Sequence, residues 1–171
     1  GAAGGAAGGR RTLYVSAEES AAQVRLRATR TDALHDQLYL AAETDLGAVL
    51  AHIDQLDPQL LVLDSVQAVS VSGADGVAGG VAQVREVTNA LVRVAKQRRL
   101  PVLLVGHVTK DGTVAGPRLL EHLVDVVLSF EGDRHSGLRL VRATKNRFGP
   151  ADEVGCFEMT EGGIREVADP S

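Results

Sequence analysis

Aromatic residues, cysteines and lysines are all scarce in this chain of 171 residues. Aromatics make up 3% of the residues against 44% for all hydrophobic types, so a core must be built from Val, Leu, Ile and Ala. The single cysteine, Cys156, excludes an internal disulfide and a zinc site made of several cysteines. No run approaches the ~18 consecutive apolar residues of a membrane span, and the start has no signal-peptide pattern. We therefore expect a reduced, cytoplasmic protein with no membrane partner.

The shortage of lysine excludes one common nucleotide-binding motif. Only Lys96, Lys110 and Lys145 are present among 18 basic residues, and none of them follows a glycine. A phosphate-binding P-loop requires Gly-Lys-Ser/Thr, so these 171 residues contain no P-loop. With 22 acidic residues the net charge is −4. The length of 171 residues and this balanced charge suit a single globular domain.

The first nine residues differ from the rest because they contain only Gly and Ala, including five of the 19 glycines. Such a segment buries little surface and orders poorly. We interpret residues 1–9 as a linker or a truncation scar in preference to the frayed end of a helix, which would rarely hold so much glycine. The folded domain is then expected over residues 10–171.

Hydrophobic patterning alternates between strands and helices in the first two thirds of the chain. Apolar runs predict strands at residues 12–15, 38–40, 60–63 and 101–105, and helical spacing predicts helices over 46–56 and 84–94. A further helix follows Ser16 and Glu19, which have capping-box spacing, and another is expected over 119–124. Strands at 126–130, 138–145 and 155–159 then follow without helices, with a hairpin turn at Gly162-Gly163. The predicted class is α/β, a mostly parallel sheet flanked by helices with antiparallel C-terminal edge strands.

Three of the predicted parallel strands end in residues that could carry chemistry. Glu18 follows the first, Asp64 ends the third, and His107 follows the fourth. Ligands of open α/β sheets bind at the carboxyl ends of the strands, so these side chains are expected to meet at one edge. The apolar run that ends in Asp64 has the form of a Walker B strand, whose aspartate holds Mg²⁺ through water. Glu18 could orient a water molecule as a general base, and His107 could sense a phosphate.

Each of these residues also has a plain structural explanation. Asp64 could cap the next turn, Glu18 could be a carboxylate at a helix N-terminus, and His107 could be a satisfied histidine at a strand end. For Asp64 and Glu18 taken singly the structural explanation is favoured, and for His107 the two are equal. The occurrence of all three on successive strands is what favours a functional site.

Positive charge is concentrated in residues 134–149, which contain five Arg or Lys residues and no acid. This stretch includes Lys145 and Arg147 and could bind phosphate or nucleic acid. The alternative is an edge strand protected from aggregation by its charges. Two glycine-containing loops, residues 70–80 and 110–117, also have basic neighbours, namely Arg85, Lys110 and Arg118. These suit contacts to a DNA backbone, or the loops are simple connections.

Six stretches in order resemble the bacterial RadA (Sms) family of RecA-like DNA-repair ATPases. They are LYVSAEES at 13–20, LVLDSVQ at 61–67, VGHVTKDG at 105–112, AGPRLLEH at 115–122, FEGDRH at 130–135 and KNRFG at 145–149. The last is highly specific for that family, and the resemblance covers nearly all of residues 11–171.

The resemblance implies a role for each candidate residue. Asp64 would be the Walker B aspartate for Mg²⁺, Glu18 the catalytic glutamate, and His107 a nucleotide-sensing residue. Lys145 and Arg147 would reach the ATP of a neighbouring subunit. The loops at 72–80 and 109–118 would face DNA, with Arg85, Lys110 and Arg118 as the contact residues.

The resemblance also implies a function and partners. The family hydrolyses ATP with Mg²⁺, assembles as hexameric rings, and acts on single-stranded or branched DNA in recombinational repair. It drives branch migration as a helicase-like motor, and the RecA recombinase is a further candidate partner.

The sequence departs from the family in three respects. The four-cysteine zinc finger, the Lon-protease-like domain and the Walker A segment are absent from these residues, so this chain is expected to bind no zinc and, alone, to be inactive. The family places the Walker A strand beside the Walker B strand, so another segment fills that position, the fold repacks, or the sequence is incomplete. The alternative function is a non-catalytic core fragment that keeps DNA or subunit contacts. A dinucleotide enzyme is disfavoured because no Gly-x-Gly-x-x-Gly follows a strand.

Overall fold

Eight strands and four α-helices make up the part of the chain that the computed structural model describes, residues 10–108, 117–132 and 135–168. The chain divides into two units, Gly1–Leu123 and Val124–Ser171. The Gly/Ala segment 1–9, Lys110 and most of the predicted second loop lie outside the described residues. No helix within the described ranges is long and apolar enough to cross a membrane.

The first unit contains four strands and four helices. Its strands are β1 (Thr12–Ser16), β2 (Leu38–Ala42), β3 (Leu60–Asp64) and β4 (Val102–Val105). Its helices are α1 (Ala21–Arg30), α2 (Leu46–Leu56), α3 (Val81–Arg98) and α4 (Pro117–Leu120), with a short 3-10 helix at Val66–Ala68. Every predicted strand of this unit is present. α4 is a single turn that ends at Leu120, so the helix expected over 119–124 is present only in its first two residues.

The four strands form a parallel sheet in the order β2-β1-β3-β4. β3 is paired on both sides, with β1 through Ser16 opposite Asp64 and with β4 through Asp64 opposite Val105. Within the described residues, β1 and β4 therefore occupy the two sides of the strand that ends in Asp64. The register also places the carboxyl ends of the three strands level with one another.

The core of the first unit contains only Val, Leu, Ile and Ala, as the low aromatic content predicts. β3 contributes Leu61 and Leu63, which are fully buried, and α2 contributes Val49 and Ile53. Burial of each such side chain stabilises the fold by about 1.5–3 kcal/mol. The strand ends above this core are therefore held on a rigid support.

The N-terminus of α1 differs from the sequence prediction. Ser20 is the N-cap: its side chain accepts a hydrogen bond from the backbone N–H of Gln23, whose side chain accepts one from the backbone N–H of Ser20. The prediction that Ser16 and Glu19 form the capping box is wrong. The Ser16 hydroxyl instead closes the turn after β1, accepting from the Glu19 N–H and donating to the Glu19 carbonyl.

The second unit is an antiparallel sheet of four strands in the order β5-β6-β7-β8. The strands are β5 (Val126–Gly132), β6 (Leu138–Asn146), β7 (Val154–Thr160) and β8 (Gly163–Glu166). The α/β class with a parallel sheet and antiparallel C-terminal strands is confirmed, and these strands form a sheet of their own. The predicted hairpin turn joins β7 to β8 but lies at Glu161-Gly162, one residue earlier than expected, and Gly163, with a φ of 128°, is the first residue of β8.

Candidate active site

Glu18, Asp64 and His107 lie together at the carboxyl ends of β1, β3 and β4. One ligand atom from each lies within 4.8 Å of the other two. The His107 ring nitrogen Nε2 lies 3.0 Å from Glu18 Oε2 and 3.9 Å from Asp64 Oδ1. Because the three strands end level in a parallel sheet, the chain emerges from them at one edge. The structure thus brings together the three residues that the sequence singles out.

The three side chains differ in exposure. The Asp64 side chain is 23% exposed, whereas those of Glu18 and His107 are 47% and 57% exposed. Asp64 therefore forms the inner wall of the cluster, and the other two form its rim, open to water or a ligand. Glu18 lies in the bend after β1, before the first turn of α1, so a role at that helix terminus does not explain its position.

Tyr14 is a member of this site that the sequence analysis missed. Its hydroxyl donates a hydrogen bond of 2.8 Å to Asp64 Oδ2. Burial, followed by the Asp64 carboxylate, raises the pKa of Tyr14 to about 12, so the phenol remains a donor at neutral pH. One oxygen of Asp64 is held by Tyr14, and the other faces His107. A carboxylate fixed in this way is not a cap of the following turn, which was the structural alternative for Asp64.

A second pair of contacts fixes the backbone that carries His107. The Gln67 side chain donates from Nε2 to the His107 carbonyl oxygen at 3.0 Å, and its Oε1 accepts from the His107 N–H at 3.3 Å. Gln67 lies in the 3-10 helix that follows β3. The two strand ends are therefore tied together by side-chain contacts as well as by the sheet. No sequence pattern indicated this link, because it joins residues 40 positions apart.

Arg27 extends the polar network to α1. Its guanidinium forms an ion pair of 2.6 Å with Glu19, and the hydrogen bond to Glu19 raises the pKa of Arg27. Arg27 also lies close enough to Tyr14 to oppose part of the rise in the tyrosine pKa. Polar groups thus form a continuous network from Glu19 through Arg27 and the neutral Tyr14 to Asp64.

The residues predicted to contact DNA lie elsewhere on the first unit. Arg85 is exposed on α3 and lines a cleft with residues 72–75 of the glycine-containing loop. Arg118 is exposed on α4, and Lys110 lies outside the described residues.

Lys145 and Arg147 lie at and just beyond the end of β6, in the second unit. Arg147 is exposed and forms an ion pair of 3.1 Å with Asp125. Lys145 is half-buried opposite Val127. β6 is an inner strand, between β5 and β7, so protection of a sheet edge does not explain its positive charges.

Comparison with known proteins assigns the chain to a family. The family model described as an AAA domain matches residues 2–113, which is well over half of the chain. The chain belongs to the AAA domain family. The likeness to RadA that the motifs predict is confirmed by 62% identity with DNA repair protein RadA of Mycolicibacterium smegmatis and 59% with that of Mycobacterium tuberculosis, each over 95% of this chain. The chain spans about a third of the length of these relatives, 36% and 34%.

The fold is also found in a solved structure. The crystal structure of the RadB recombinase matches 94% of this chain and 80% of its own, with a TM-score of 0.63 and 21% identity. At that identity the likeness concerns the fold, and it confirms the expected RecA-like architecture.

Proposed function

We propose that this chain is the core of an ATP-hydrolysing DNA-repair protein of the RadA type. The observation that carries the proposal is the convergence of Glu18, Asp64 and His107 at the carboxyl edge of the parallel sheet. Membership of the AAA domain family and the likeness to proteins named for DNA repair support it. A nucleotide-using enzyme needs its metal, its water and its phosphate sensor at one such edge.

The donor atoms of the cluster fit magnesium. Asp64 Oδ1 faces the open side of the cluster, while Oδ2 is occupied by Tyr14. Mg²⁺ prefers oxygen ligands and keeps several of its waters, so a single fixed carboxylate suits it. Asp64 would hold the ion through a water molecule, and the ion would neutralise charge developing on ATP phosphates.

Glu18 is suited to orient the attacking water. It is half-exposed on the rim of the cluster, and its Oε2 is held by the His107 ring 3.0 Å away. A carboxylate in a fixed position can accept the proton of a water that attacks a phosphate. His107 would then couple the orientation of Glu18 to the presence of a phosphate, which is the sensing role expected for it.

Residues other than Glu18, Asp64 and His107 must bind the phosphates of ATP. None of the three lysines follows a glycine, so the 171 residues supply no lysine of the Gly-Lys-Ser/Thr type. We infer that this chain by itself does not turn over ATP and that the activity belongs to the full-length protein. Turnover by the isolated chain that disappears in Asp64→Ala would contradict this inference.

The remaining assignments extend the same proposal. DNA, single-stranded or branched, would contact the loop at 72–80 through Arg85 and the loop at 109–118 through Lys110 and Arg118. Lys145 and Arg147 would act on the ATP of a neighbouring subunit in a hexameric ring. Branch migration by a helicase-like motor in the bacterial cytoplasm, and cooperation with the RecA recombinase, are the activity and partner that follow.

The test compares ATP turnover of three variants of the full-length protein. Asp64→Asn and Glu18→Gln remove the charge of the cluster without changing its shape, and each is expected to lower kcat by roughly 10²–10⁴-fold, the usual contribution of a positioned acid or base. Glu18→Gln should still bind ATP with Mg²⁺, because Glu18 acts on water. Asp36→Asn makes the same change at an exposed position between α1 and β2 and should leave turnover unchanged. Full turnover in Glu18→Gln would refute the proposed base.

A second candidate function is a non-catalytic fragment that keeps DNA contacts. The observation that favours it is the lack of a Gly-Lys-Ser/Thr sequence in these residues. Under this alternative the full-length protein and its Asp64→Asn variant would bind DNA equally well and neither would turn over ATP, whereas the ATPase proposal requires turnover that Asp64→Asn loses.

A further inference from the structure

Gln83 is the only glutamine side chain of the described residues that is buried, at 3% exposure, and it faces a loop that has almost no packing of its own. It lies in the first turn of α3, directly after the glycine-containing loop. Its Oε1 accepts a hydrogen bond of 2.8 Å from the Val71 N–H. Its Nε2 lies 3.3 Å from the Val71 carbonyl oxygen and 2.9 Å from that of Ala74.

The same amide nitrogen reaches further along the loop. It lies 3.5 Å from the Asp75 carbonyl oxygen and 3.3 Å from that of Gly76. The two N–H groups are thus shared among four nearby backbone carbonyls, of which that of Ala74 is the nearest, and the amide oxygen accepts from one backbone N–H. A single side chain satisfies polar groups over residues 71–76 that would otherwise need water.

The loop offers little else to fix its shape. Gly73 and Gly76 adopt positive φ angles of 90° and 84°, and nothing lies within 4 Å of the place where their side chains would be. Val77 is 78% exposed. A segment with free glycines and an exposed valine gains little from apolar burial, so its conformation depends on its hydrogen bonds.

The loop and α3 enclose a cleft of about 460 Å³ beside Gln83. Its charged side chains are Asp75 from the loop and Arg85 and Glu86 from the helix. The position of residues 72–75 relative to Arg85 therefore depends on the bend that the Gln83 amide holds.

We propose that Gln83 is the positioning residue of this loop and holds residues 71–76 in the bend that aligns them with Arg85. The inference rests on the proposed function only for the statement that this loop faces DNA. Gln83, a buried amide assigned no ligand contact, then controls the shape of the surface that residues 71–76 form.

The test replaces the amide by groups that keep its size. In Q83E the carboxylate can still accept from the Val71 N–H, but when ionised it has no donor for the four carbonyl oxygens. The carboxylate is repelled by those carbonyl oxygens and should leave the bend, so that the Val71 N–H loses its acceptor. Hydrogen exchange of the Val71 amide in the full-length protein should therefore rise by up to about tenfold at pH 8, the factor that one hydrogen bond is worth. Burial at this position disfavours the charged form of the introduced carboxyl, so lowering the pH to 5 promotes its protonation. Protonation restores one donor, and exchange, corrected for its intrinsic pH dependence, should then fall.

Two further variants separate positioning from simple packing. Q83M keeps the volume of the side chain but can form none of its hydrogen bonds, so the Val71 amide should exchange fast at both pH values. Q97E adds the same charge on an exposed face of α3 and should change nothing. Asp75, Arg85 and Glu86 are present in every variant, so the effect of their charges on exchange is common to all of them. Exchange that rises equally over the whole first unit, or a Val71 amide that exchanges no faster in Q83M than in wild type, would overturn the proposal.

DNA binding distinguishes this inference from the proposed function. Binding of a single-stranded oligonucleotide by full-length Q83E should weaken at pH 8 more than at pH 5, relative to wild type. If the loop opens as expected while affinity stays at the wild-type value, Gln83 positions the loop but the loop does not face DNA. If the loop stays closed in Q83E and Q83M, the inference fails whatever the DNA result.

Discussion

Tyr14 fixes the orientation of a neighbouring carboxylate, that of Asp64. A surface aspartate is free to rotate and to share both oxygens with water, whereas Asp64 has one oxygen held at 2.8 Å by a phenol. The phenol keeps this role because burial and Asp64 itself raise the pKa of Tyr14 to about 12. The fixed orientation leaves Oδ1 for His107 and, under the proposed function, for magnesium-bound water.

Tyr14→Phe is expected to change both turnover and the pH dependence of stability. The Tyr14 pKa rises from 10.0 to about 12 on folding, so the stabilisation is fully present below pH 10 and is lost as pH rises from 10 towards 12. The difference in the free energy of unfolding between wild type and Y14F should therefore shrink from pH 8 to pH 11 in metal-free urea titrations. A difference that stays constant would show that the hydroxyl does not interact in this way.

The same variant should lower kcat of the full-length protein by about tenfold, because a freely rotating carboxylate loses alignment worth about one hydrogen bond. Tyr39→Phe removes a phenolic oxygen from β2, where the residue is 40% exposed, and controls for the loss of a hydroxyl as such. Equal turnover in Y14F and wild type would mean that the sheet alone orients Asp64.

At the scale of elements, α1 depends on its capping box because little else supports it. Only Val24 and Ala28 of this helix are buried, so the hydrogen bonds at Ser20 and Gln23 matter more than in a helix that contributes a large share of the core. Its first turn contains no acidic residue to favour the helix dipole. α1 also carries Arg27, so its stability bears on the network behind Tyr14.

Ser20→Ala should lower the free energy of unfolding by about 1 kcal/mol, the usual cost of losing an N-cap side chain. Ser20→Asp supplies another N-cap oxygen and should restore stability, which separates the cap from any other effect of the position. The measurement is urea unfolding followed by circular dichroism. If the aspartate variant is as unstable as the alanine variant, the cap does not stabilise α1.

The sequence predicts elements better than it predicts the contacts between them. The apolar runs at Leu60–Asp64 and Val102–Val105 identify β3 and β4, as is typical of parallel strands. Burial is less complete than such runs predict, because Leu103 of β4, the last strand of the sheet order, is 51% exposed. Because neighbouring parallel strands end at the same edge of a sheet, the proximity of Glu18, Asp64 and His107 then follows. Tyr14 and Gln67 could not be found in this way, because their partners lie 50 and 40 positions away and only the register reveals them.

The capping error has a similar origin. Ser16 and Glu19 have the same spacing as Ser20 and Gln23, and the two patterns follow one another directly within eight residues. Spacing alone does not distinguish a turn that follows a strand from the start of a helix. The structure decides because β1 extends to Ser16, which leaves room for a bend before α1 begins at Ala21.

At the scale of the whole molecule, the candidate chemistry is divided between two units. The first unit contains the cluster of Glu18, Asp64 and His107, and the second contains Lys145 and Arg147 at and after the end of an inner strand. Arg147 is paired with Asp125, but both are more than half exposed, and such pairs contribute about 0–1 kcal/mol. A pair this weak leaves the guanidinium able to exchange its partner for a phosphate.

Arg147→Ala is therefore expected to abolish DNA-stimulated turnover of the full-length protein without unfolding it, since an arginine supplied to a neighbour's phosphates contributes roughly 10³–10⁵-fold in such enzymes. If it acts in trans, co-assembly of R147A subunits with D64N subunits should recover part of the activity, because some sites then pair an intact Asp64 with an intact Arg147. Asp125→Asn breaks the same ion pair while keeping the arginine, and it should remain active. Loss of activity in D125N together with no recovery in the mixture would instead mean that Arg147 serves only its own subunit.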